Sequence, residues 1–396
     1  MSTQRTGGAH AAQVLVVNAG SSSLKMKLLP SGESVLIERL GGPTSVSASF
    51  TVVESPRLER HDHAFDFGLR LLEAHLGALT LAAVGHRVVH GGTRFVEPTL
   101  ITSEVEAAIE ELCPLAPLHN PGNLAAVRAA RSALPGVAHV AVFDTAFHAT
   151  LPPHAYHYGL PLEYAQQGMR RYGFHGSSHQ YVAQRAAELL ERPQAELRMI
   201  TLHLGNGASA TAVAGGRSVD TSMGFTPLEG LLMGTRTGDI DPGLLIHLLR
   251  GGMPLDQLDQ LLNRGAGLRG MSGISNDMRD VRQAARNGEA GASAALALFA
   301  YRVRKTIGAY AAAMGGLDAI VFTGGIGEND AASRADCLAG LEFLGVELDA
   351  SRNAAGEETI SAEHGAVKVL VVKTDEEGLI AEQAREVAAR LGRKDA

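Results

Sequence analysis

Three short segments rich in glycine and small polar residues each follow an apolar run, and they are the first candidates for chemistry. They are residues 18–25 (NAGSSSLK), 203–209 (HLGNGAS) and 324–329 (GGIGEN). Glycine lets a backbone approach a ligand closely, and exposed N–H groups, hydroxyls and the Lys25 amine can hold phosphate oxygens. Any one of these segments is equally typical of an ordinary turn, and none is a Walker loop. Three of them at the carboxyl ends of apolar runs indicate a ligand site at a sheet edge.

Single charged residues beside small neighbours are the second group of candidates. Arg87 and Arg236 have little apolar surface nearby for their stems to cover, which favours bidentate contact with a carboxylate or phosphate over packing. For either arginine alone, a surface ion pair remains the simpler interpretation. Asp144 directly follows an apolar run and serves either a site or a helix cap. His119 and His175 lie in glycine- or proline-containing turns, and the two are not at metal-ligand spacing from each other.

The periodicity of apolar residues predicts a mixed α/β chain that positions these segments. Strands are expected at residues 14–17, 24–29, 82–89, 139–143, 199–204, 319–323 and 367–372. Helices are expected at residues 104–112, 123–133 and 292–314, and residues 324–329 are expected as a loop. Residues 16–21 can be aligned with residues 201–206, a weak sign of duplication, because any strand that enters a turn looks similar.

Composition excludes several classes of protein. The 396 residues suggest two to three domains, and no apolar run has the length of a membrane span. The net charge of −7 comes from mixed acids and bases without a basic block, so neither nucleic acid nor a membrane is an expected partner. Residues 1–13 contain no apolar stretch of signal-peptide type. With Cys113 and Cys337 far apart, a reducing cytoplasm is the expected compartment.

Taken in order, the motifs resemble those of the acetate kinase family, from residue 14 to about residue 381. The most specific segments are residues 18–25, 173–179 (GFHGSSH), 203–215 and 233–242. The resemblance implies an α/β fold of two actin-like (ribonuclease H-like) domains with duplicated topology around a central cleft, and a homodimer. The expected N-terminal domain is residues 1–147, with a C-terminal helix at 378–396 packing back on it. Residues 148–377 are then the nucleotide-binding domain.

The resemblance also implies roles for individual residues. The expected catalytic residues are Asp144, Arg87, Arg236 and His175, of which His175 and Arg236 stabilise the transition state. The expected contacts of the small acid are Arg87, Val89, Leu118, Phe174 and Pro227. The expected ATP contacts are Ser21, Ser23, Lys25, His203, Leu204, Gly205, Asn206, Gly207, Asp277, Met278, Arg279, Gly325, Ile326, Gly327, Glu328 and Asn329.

The metal implied by the resemblance is Mg²⁺, for which Mn²⁺ can substitute, held by Asn18 and Glu376. The family usually has Thr-Asn-Glu-Glu where this chain has Thr374-Asp375-Glu376-Glu377. The extra acid leaves open whether Glu376 or Glu377 is the metal ligand.

The implied reaction is reversible transfer of the γ-phosphoryl group of ATP to acetate, giving acetyl phosphate and ADP, by direct in-line transfer. A carboxylate nucleophile is already an anion, so such catalysis depends on positioning and positive charge. Two arginines, a histidine and Mg²⁺ suit that task. A propionate kinase of the same family remains the nearest alternative, and a butyrate kinase fits the motifs less well. A non-catalytic actin-like nucleotide switch is the alternative from another class, and it would not need Arg87.

Overall fold

The structure, a computed structural model, describes residues 12–52 and 56–392 of the chain. Its strands are β1 (Gln13–Ala19), β2 (Ser23–Leu29), β3 (Ser34–Glu38), β4 (Ser45–Ala48), β5 (Leu81–Val88), β6 (Thr99–Leu100), β7 (Ala138–Phe143), β8 (Arg198–Leu204), β9 (Ala208–Ala214), β10 (Arg217–Thr221), β11 (Ala319–Thr323) and β12 (Lys368–Val371). Its α-helices are α1 (His61–Leu76), α2 (Ser103–Glu111), α3 (Asn120–Ala133), α4 (Pro153–Tyr156), α5 (Leu162–Gln166), α6 (Gly176–Leu189), α7 (Pro242–Arg250), α8 (Leu255–Gln260), α9 (Gly267–Ser272), α10 (Met278–Arg286), α11 (Ala290–Met314), α12 (Gly324–Asn329), α13 (Ala331–Leu338), α14 (Ala350–Ala355) and α15 (Glu376–Gly392).

The chain divides into two compact units. The first contains the described residues of Met1–Ala146 and of Asp375–Ala396, and the second is Phe147–Thr374. The first unit has a seven-stranded sheet in the order β4-β3-β2-β1-β5-β7-β6, and the second has a five-stranded sheet in the order β10-β9-β8-β11-β12. Helix α15 belongs to the first unit although the whole second unit precedes it in the chain.

The two sheets repeat one topology. In the first, β1 pairs antiparallel with β2 and parallel with β5, and β5 pairs parallel with β7. In the second, β8 pairs antiparallel with β9 and parallel with β11, and β11 pairs parallel with β12. Residues 16–21 and 201–206 therefore end equivalent central strands. The α/β class and the duplicated topology predicted from the sequence are confirmed.

Strand β1 is apolar and buried from Val14 to Val17 because both of its faces are covered. Leu15 and Val17 belong to the core that contains residues of α1, whereas Val14 and Val16 pack with Ile380 and other residues of α15. In the second unit, Val182 and its neighbours on α6 pack on the sheet in the same way. A strand buried on both faces reads as a continuous apolar run, which is why the sequence identified these central strands.

Two expectations about secondary structure were wrong, namely the conformation of residues 324–329 and the start of α3. Residues 324–329 form the short helix α12 and not a loop. The Glu328 carboxylate accepts a hydrogen bond from the Gly324 N–H (3.0 Å), so a side chain satisfies the first turn of a helix that two further glycines disfavour. Helix α3 begins at Asn120, three residues before the expected start, because Pro121 lies in its first turn, where proline is tolerated.

Membrane insertion through a helix finds no support in this fold. No helix within residues 12–52 and 56–392 combines the length and the apolar character that a membrane crossing requires.

Gly85 is the residue that lets α15 approach the middle of the first sheet. A Cβ atom at this position would lie 2.8 Å from Ile380 Cγ2 and 3.2 Å from Ala384 Cβ. Gly85→Ala is therefore expected to lower the free energy of unfolding by about 1–3 kcal/mol, the usual cost of overpacking. Chemical denaturation monitored by circular dichroism measures this change.

The matched control is Gly308→Ala within α11, where an added Cβ would meet no atom within 4 Å. That variant is expected to be stabilised by about 0.5–1 kcal/mol, because alanine favours a helix over glycine. Equal stabilities for the two variants would contradict the close packing of α15.

Candidate active site

A bidentate ion pair between Arg87 and Asp144 forms the centre of the candidate site in the first unit. Arg87 Nε donates to Asp144 Oδ1 (2.8 Å), and Arg87 Nη2 donates to Asp144 Oδ2 (2.5 Å). Arg87 Nη1 donates to Asn18 Oδ1 (3.2 Å). The Asp144 side chain is 1 % exposed, whereas that of Arg87 is 21 % exposed. The guanidinium is thus fixed in direction by a buried carboxylate while part of it stays accessible.

Sheet order brings these three side chains together. Asn18 is near the end of β1, Arg87 is near the end of β5, and Asp144 follows β7, and these three strands are adjacent and parallel. The Asp144 N–H donates to the Val88 carbonyl (3.0 Å), which continues the pairing of β5 and β7. The carboxyl ends of parallel strands are where open α/β sheets hold ligands.

Charge on neighbouring groups keeps Arg87 ionised. Burial alone would lower the pKa of Arg87, but the Asp144 and Glu376 carboxylates raise it above its usual value. Burial raises the pKa of Glu376, and Arg87 opposes that rise. Asp144 and Glu376 are therefore both within electrostatic range of the same guanidinium.

The three consecutive acids before and within α15 have different environments. Asp375 Oδ1 accepts from the Gly378 N–H (2.9 Å) and caps the helix. The Glu377 carboxylate pairs with Lys25 Nζ (2.5 Å) and Lys27 Nζ (3.0 Å), and these bonds lower its pKa against the effect of burial. Glu376 makes no hydrogen bond or ion pair within the described part of the chain. Of the three, only its carboxylate is uncommitted.

Two asparagines that the sequence analysis missed anchor the segment after β5. Asn123 Oδ1 accepts from the Val89 N–H (3.0 Å), and Asn123 Nδ2 donates to the Ala19 carbonyl (2.6 Å). Asn120 Oδ1 accepts from the His90 N–H (3.1 Å), and Asn120 Nδ2 donates to the His90 carbonyl (3.1 Å). Both are buried on α3. Their position on either side of Pro121 and Gly122 was the only available signal.

In the second unit, the side chains of His175 and Arg236 both lie close to Gly207. A Cβ atom added to Gly207 would lie 3.5 Å from His175 Nε2 and 3.7 Å from Arg236 Nη1. His175 precedes α6 with a left-handed backbone (φ 57°), and its Nδ1 lies 2.9 Å from Ser209 Oγ. The absence of a side chain at Gly207 leaves space in which an imidazole and a guanidinium can contact the same ligand.

Arg236 carries a charge without a carboxylate partner. Its Nη1 donates to the Pro227 carbonyl (3.1 Å) and contacts Met233 Sδ (3.7 Å). Within residues 12–52 and 56–392 no aspartate or glutamate pairs with it, and burial lowers its pKa. A partly buried cation of this kind favours binding of an anion.

A cavity of about 420 Å³ adjoins this part of the second unit. Eight of the predicted ATP contacts line it, namely Gly205, Asn206, Asp277, Met278, Arg279, Gly325, Ile326 and Asn329. Asn276 and Asp330 also line it and were missed by the sequence analysis. Asn276 Nδ2 donates to Asn206 Oδ1 (2.9 Å), so one wall of the cavity is cross-linked by side chains.

The remaining predicted ATP contacts have other positions. His203 Nδ1 lies 2.8 Å from Ser178 Oγ, and Leu204 is fully buried. Gly327 is buried, and Glu328 also accepts from Thr374 N–H (3.3 Å). Ser21, Ser23 and Lys25 lie in the first unit, on the hairpin that joins β1 and β2.

The predicted contacts of the small acid come from both units. Val89 (5 % exposed) and Leu118 (48 % exposed) belong to the first unit. Phe174 (1 % exposed) and Pro227 belong to the second.

The side chains that could bind a metal are all oxygen donors. In the described ranges there is no group of three or more His, Cys, Asp or Glu side chains suited to hold a metal ion by themselves. The Asp144 carboxylate is bonded to Arg87, whereas Asn18 Oδ1 accepts one hydrogen bond from Arg87 and keeps a second lone pair. The Glu376 carboxylate and this second lone pair of Asn18 are the oxygen donors that remain. One carboxylate fits Mg²⁺, which takes few protein ligands and completes its shell with phosphate oxygens and water.

Comparison with known proteins decides the family. The sequence model described as the acetokinase family matches residues 13–382 of the chain. The chain belongs to the acetokinase family. The acetate kinase of Leifsonia xyli subsp. xyli is 54 % identical over 398 residues, covering 95 % of this chain and 99 % of that protein. The acetate kinase of Thermotoga maritima is 48 % identical, covering 96 % of this chain and 100 % of that protein.

Solved structures agree with membership of the acetokinase family. The crystal structure of Porphyromonas gingivalis acetate kinase matches with a TM-score of 0.90 at 43 % identity, covering 95 % of this chain and 100 % of that one. A propionate kinase from Francisella tularensis subsp. tularensis matches with a TM-score of 0.90 at 37 % identity and the same coverage. The two actin-like units predicted from the sequence are therefore confirmed as the fold, and the fold is shared by kinases of both names.

Proposed function

We propose that the protein is an acetate kinase, which transfers the γ-phosphoryl group of ATP to acetate and gives acetyl phosphate and ADP. The observation that carries the chemistry is the Arg236 guanidinium, which lies beside the His175 imidazole and has no carboxylate partner among the described residues. Curated relatives at about half identity over nearly the whole chain carry the substrate assignment. A coupled assay of ADP release with ATP and acetate tests the proposal.

The proposed reaction needs no general base. An acetate oxygen attacks the γ-phosphorus in line, and the bond from that phosphorus to the β–γ bridging oxygen breaks, so ADP leaves with the bonding electron pair. Acetate is already deprotonated at neutral pH, so no proton is removed from the nucleophile. The barrier comes from bringing two anions together, and cationic donors around the transferring group lower it.

The carboxylate of the acceptor and the metal are proposed to be held by the first unit. Arg87, oriented by Asp144, is proposed to hold the acetate carboxylate, since a fixed guanidinium offers paired donors. Val89, Leu118, Phe174 and Pro227 are proposed to contact the acetate methyl group. Glu376, with Asn18, is proposed to bind Mg²⁺, which supplies positive charge to the phosphate oxygens when bound.

The proposal assigns the second unit to ATP. The adenosine is proposed to occupy the 420 Å³ cavity between the start of α10 and α12. His175 and Arg236 are proposed to donate to oxygens of the transferring phosphoryl group. A non-catalytic nucleotide switch would need this cavity but would not need an uncompensated Arg236 or the oriented Arg87.

A homodimer in a reducing cytoplasm completes the proposal. Helix α7 contains no buried residue although Leu244 (45 % exposed), Ile246 (49 %) and Leu249 (41 %) are apolar. Leu255 on α8 is 71 % exposed. Exposed apolar side chains on neighbouring helices are typical of an interface, and a second copy is the partner that we propose. Cys113 and Cys337 are both free thiols, as a reducing compartment favours.

The two arginines provide a test of charge stabilisation. Arg236→Ala and Arg87→Ala are each expected to lower kcat by about 10²–10³-fold, the usual loss for one well-placed donor. ATP affinity is expected to change little, because neither side chain lines the cavity. Steady-state kinetics and nucleotide titration measure the two quantities. Arg217→Ala is the control, since Arg217 is exposed on β10, and near-normal turnover in an active-site variant would remove that arginine from the mechanism.

Metal dependence distinguishes Glu376 from Glu377. Activity is expected to disappear without a divalent cation and to return with Mg²⁺ or Mn²⁺, because oxygen ligands suit both ions. Glu376→Ala is expected to raise the Mg²⁺ concentration for half-maximal activity more than it raises KM for acetate. Glu377→Ala is expected mainly to lower stability, since Lys25 and Lys27 lose their partner. The reverse pattern in a metal titration would make Glu377 the ligand.

The chain length of the acid substrate tests the residues that are proposed to contact the acyl group. Acetate is expected to be preferred over propionate, with butyrate poor, because one methylene in a small apolar site changes binding by about 1–3 kcal/mol. Val89→Ala is expected to raise kcat/KM for propionate relative to acetate. A series of acids from formate to butyrate measures this ratio, and a parent enzyme that prefers propionate would rename the activity.

Val35→Ala is the matched control for Val89→Ala. Val35 is equally buried, lies on β3 in the first unit and packs in a core cluster away from Arg87. Val53, to which the sequence also assigns no acyl contact, lies outside the described residues. An unchanged acid ratio in folded Val89→Ala would show that Val89 does not contact the acyl group.

A further inference from the structure

A chain of four hydrogen-bonding side chains connects the sheet of the second unit to His175. Thr201 Oγ1 on β8 lies 2.7 Å from His179 Nδ1 on α6. His179 Nε2 lies 2.8 Å from Ser209 Oγ on β9, and Ser209 Oγ lies 2.9 Å from His175 Nδ1. Thr201, His179 and Ser209 have no exposed surface, so water does not compete for these bonds.

The Ser209 hydroxyl has one hydrogen and can therefore donate only one hydrogen bond. Its oxygen contacts two ring nitrogens and, in the part of the chain that the structure describes, no other hydrogen-bond partner. If both nitrogens donated, the buried hydroxyl hydrogen would have no acceptor, which is costly. One ring nitrogen must therefore accept from Ser209 while the other donates to it.

The hydroxyl hydrogen of Thr201 determines which of the two ring nitrogens accepts a hydrogen bond from Ser209. Besides His179 Nδ1 at 2.7 Å, its only other acceptor in the described ranges is the Thr211 carbonyl at 3.5 Å, the limit of a hydrogen bond. The hydroxyl hydrogen is thus directed to His179 Nδ1. Burial, with the neighbouring His148 and His203, lowers the pKa of His179 well below its usual value, so this ring is neutral. Its single hydrogen is then on Nε2 and is donated to Ser209.

We propose that His179 and Ser209 are positioning residues that fix His175 as the neutral tautomer with its hydrogen on Nε2. Ser209 accepts from His179 Nε2 and donates to His175 Nδ1, so the hydrogen of a neutral His175 ring must be on Nε2. This nitrogen lies on the Gly207 side of the ring, where Arg236 Nη1 is also found. Resting on the proposed kinase function, the inference makes His175 a neutral donor to a phosphoryl oxygen. The opposite tautomer would present a lone pair to that anion.

A neighbouring histidine holds the backbone in support of this arrangement. His148 Nε2 lies 3.0 Å from the Phe174 carbonyl and can only donate to it, so the hydrogen of a neutral His148 ring is on Nε2. Ser218 Oγ lies 2.9 Å from His148 Nδ1. This bond holds the carbonyl directly before His175, whose left-handed backbone a histidine adopts rarely.

Nitrogen NMR of the parent protein tests the tautomer directly. Protein labelled with ¹⁵N-histidine gives separate long-range correlations for protonated and unprotonated ring nitrogens, and His175→Asn identifies the His175 signals by their loss. The expected result is a protonated Nε2 and an unprotonated Nδ1 in the ATP-free protein. A protonated Nδ1 would overturn the inference, whether or not the protein phosphorylates acetate.

Removal of single hydroxyls tests the positioning role. Ser209→Ala is expected to mix the two His175 tautomers in the NMR spectrum and to lower kcat by about 10–100-fold, as loss of an orienting partner does elsewhere. Ser361→Ala is the matched control, because it also removes a buried hydroxyl of the second unit, and this hydroxyl bonds no ring nitrogen among the described residues. It is expected to leave the His175 signals and kcat unchanged. Unchanged His175 signals in Ser209→Ala, or equal losses of kcat in both variants, would contradict the role of Ser209.

Discussion

The bidentate ion pair of Arg87 and Asp144 is the interaction on which the candidate site in the first unit depends. Asp144 is almost fully buried, and a buried carboxylate is stable as an anion only beside a fixed cation. The same requirement fixes the guanidinium at the carboxyl ends of three adjacent strands, where Asn18 adds a third contact. Removing one partner of such a pair leaves an unpaired buried charge, at a cost of about 3–5 kcal/mol. The ion pair with Asp144 thus both orients Arg87 and stabilises the sheet.

The two units distribute charge differently, and the difference suits the proposed reaction. In the first unit, Arg87, Lys25 and Lys27 all have carboxylate partners, so these cations are held in place before any substrate arrives. In the second unit, Arg236 has only a carbonyl and a sulfur near its Nη1 among the described residues. In the proposed reaction an anionic phosphoryl group would supply the missing partner, and the interaction would be strongest where negative charge develops.

The sequence predicted what depends on local pattern. The central strands were identified because burial on both faces makes them continuously apolar, and the site segments were identified because glycine-rich turns end those strands. Helix α12 was missed because Gly324, Gly325 and Gly327 are poor helix formers. Its first turn is satisfied by Glu328 and held against Leu204, where an added Cβ on Gly324 would lie 2.8 Å from the carbonyl oxygen. Sequence propensity cannot report a contact of that kind.

Residues that act through distant partners could not be predicted. Asn123 joins the ends of β1 and β5 from a helix, and Ser209 joins two histidines from another strand, so neither role is visible before the chain is folded. The choice between Glu376 and Glu377 as the expected metal ligand was likewise open, because only the folded chain shows that Lys25 and Lys27 on β2 pair with Glu377. The proposed chemistry could be inferred from residue types. The hydrogen bonds and ion pairs that support the candidate residues could be identified only in the folded structure.

In the proposed reaction, an anionic acceptor attacks the phosphorus directly, and Asp144 and Glu376 orient and bind but are not phosphorylated. The most direct test is the stereochemical course of transfer from ATP made chiral at the γ-phosphorus with oxygen isotopes. One in-line displacement inverts the phosphorus, whereas two displacements through a phosphorylated carboxylate restore its configuration. We expect the phosphorus to be inverted in the acetyl phosphate formed. Retention would contradict this expectation and would require a carboxylate of the protein to act as the first nucleophile.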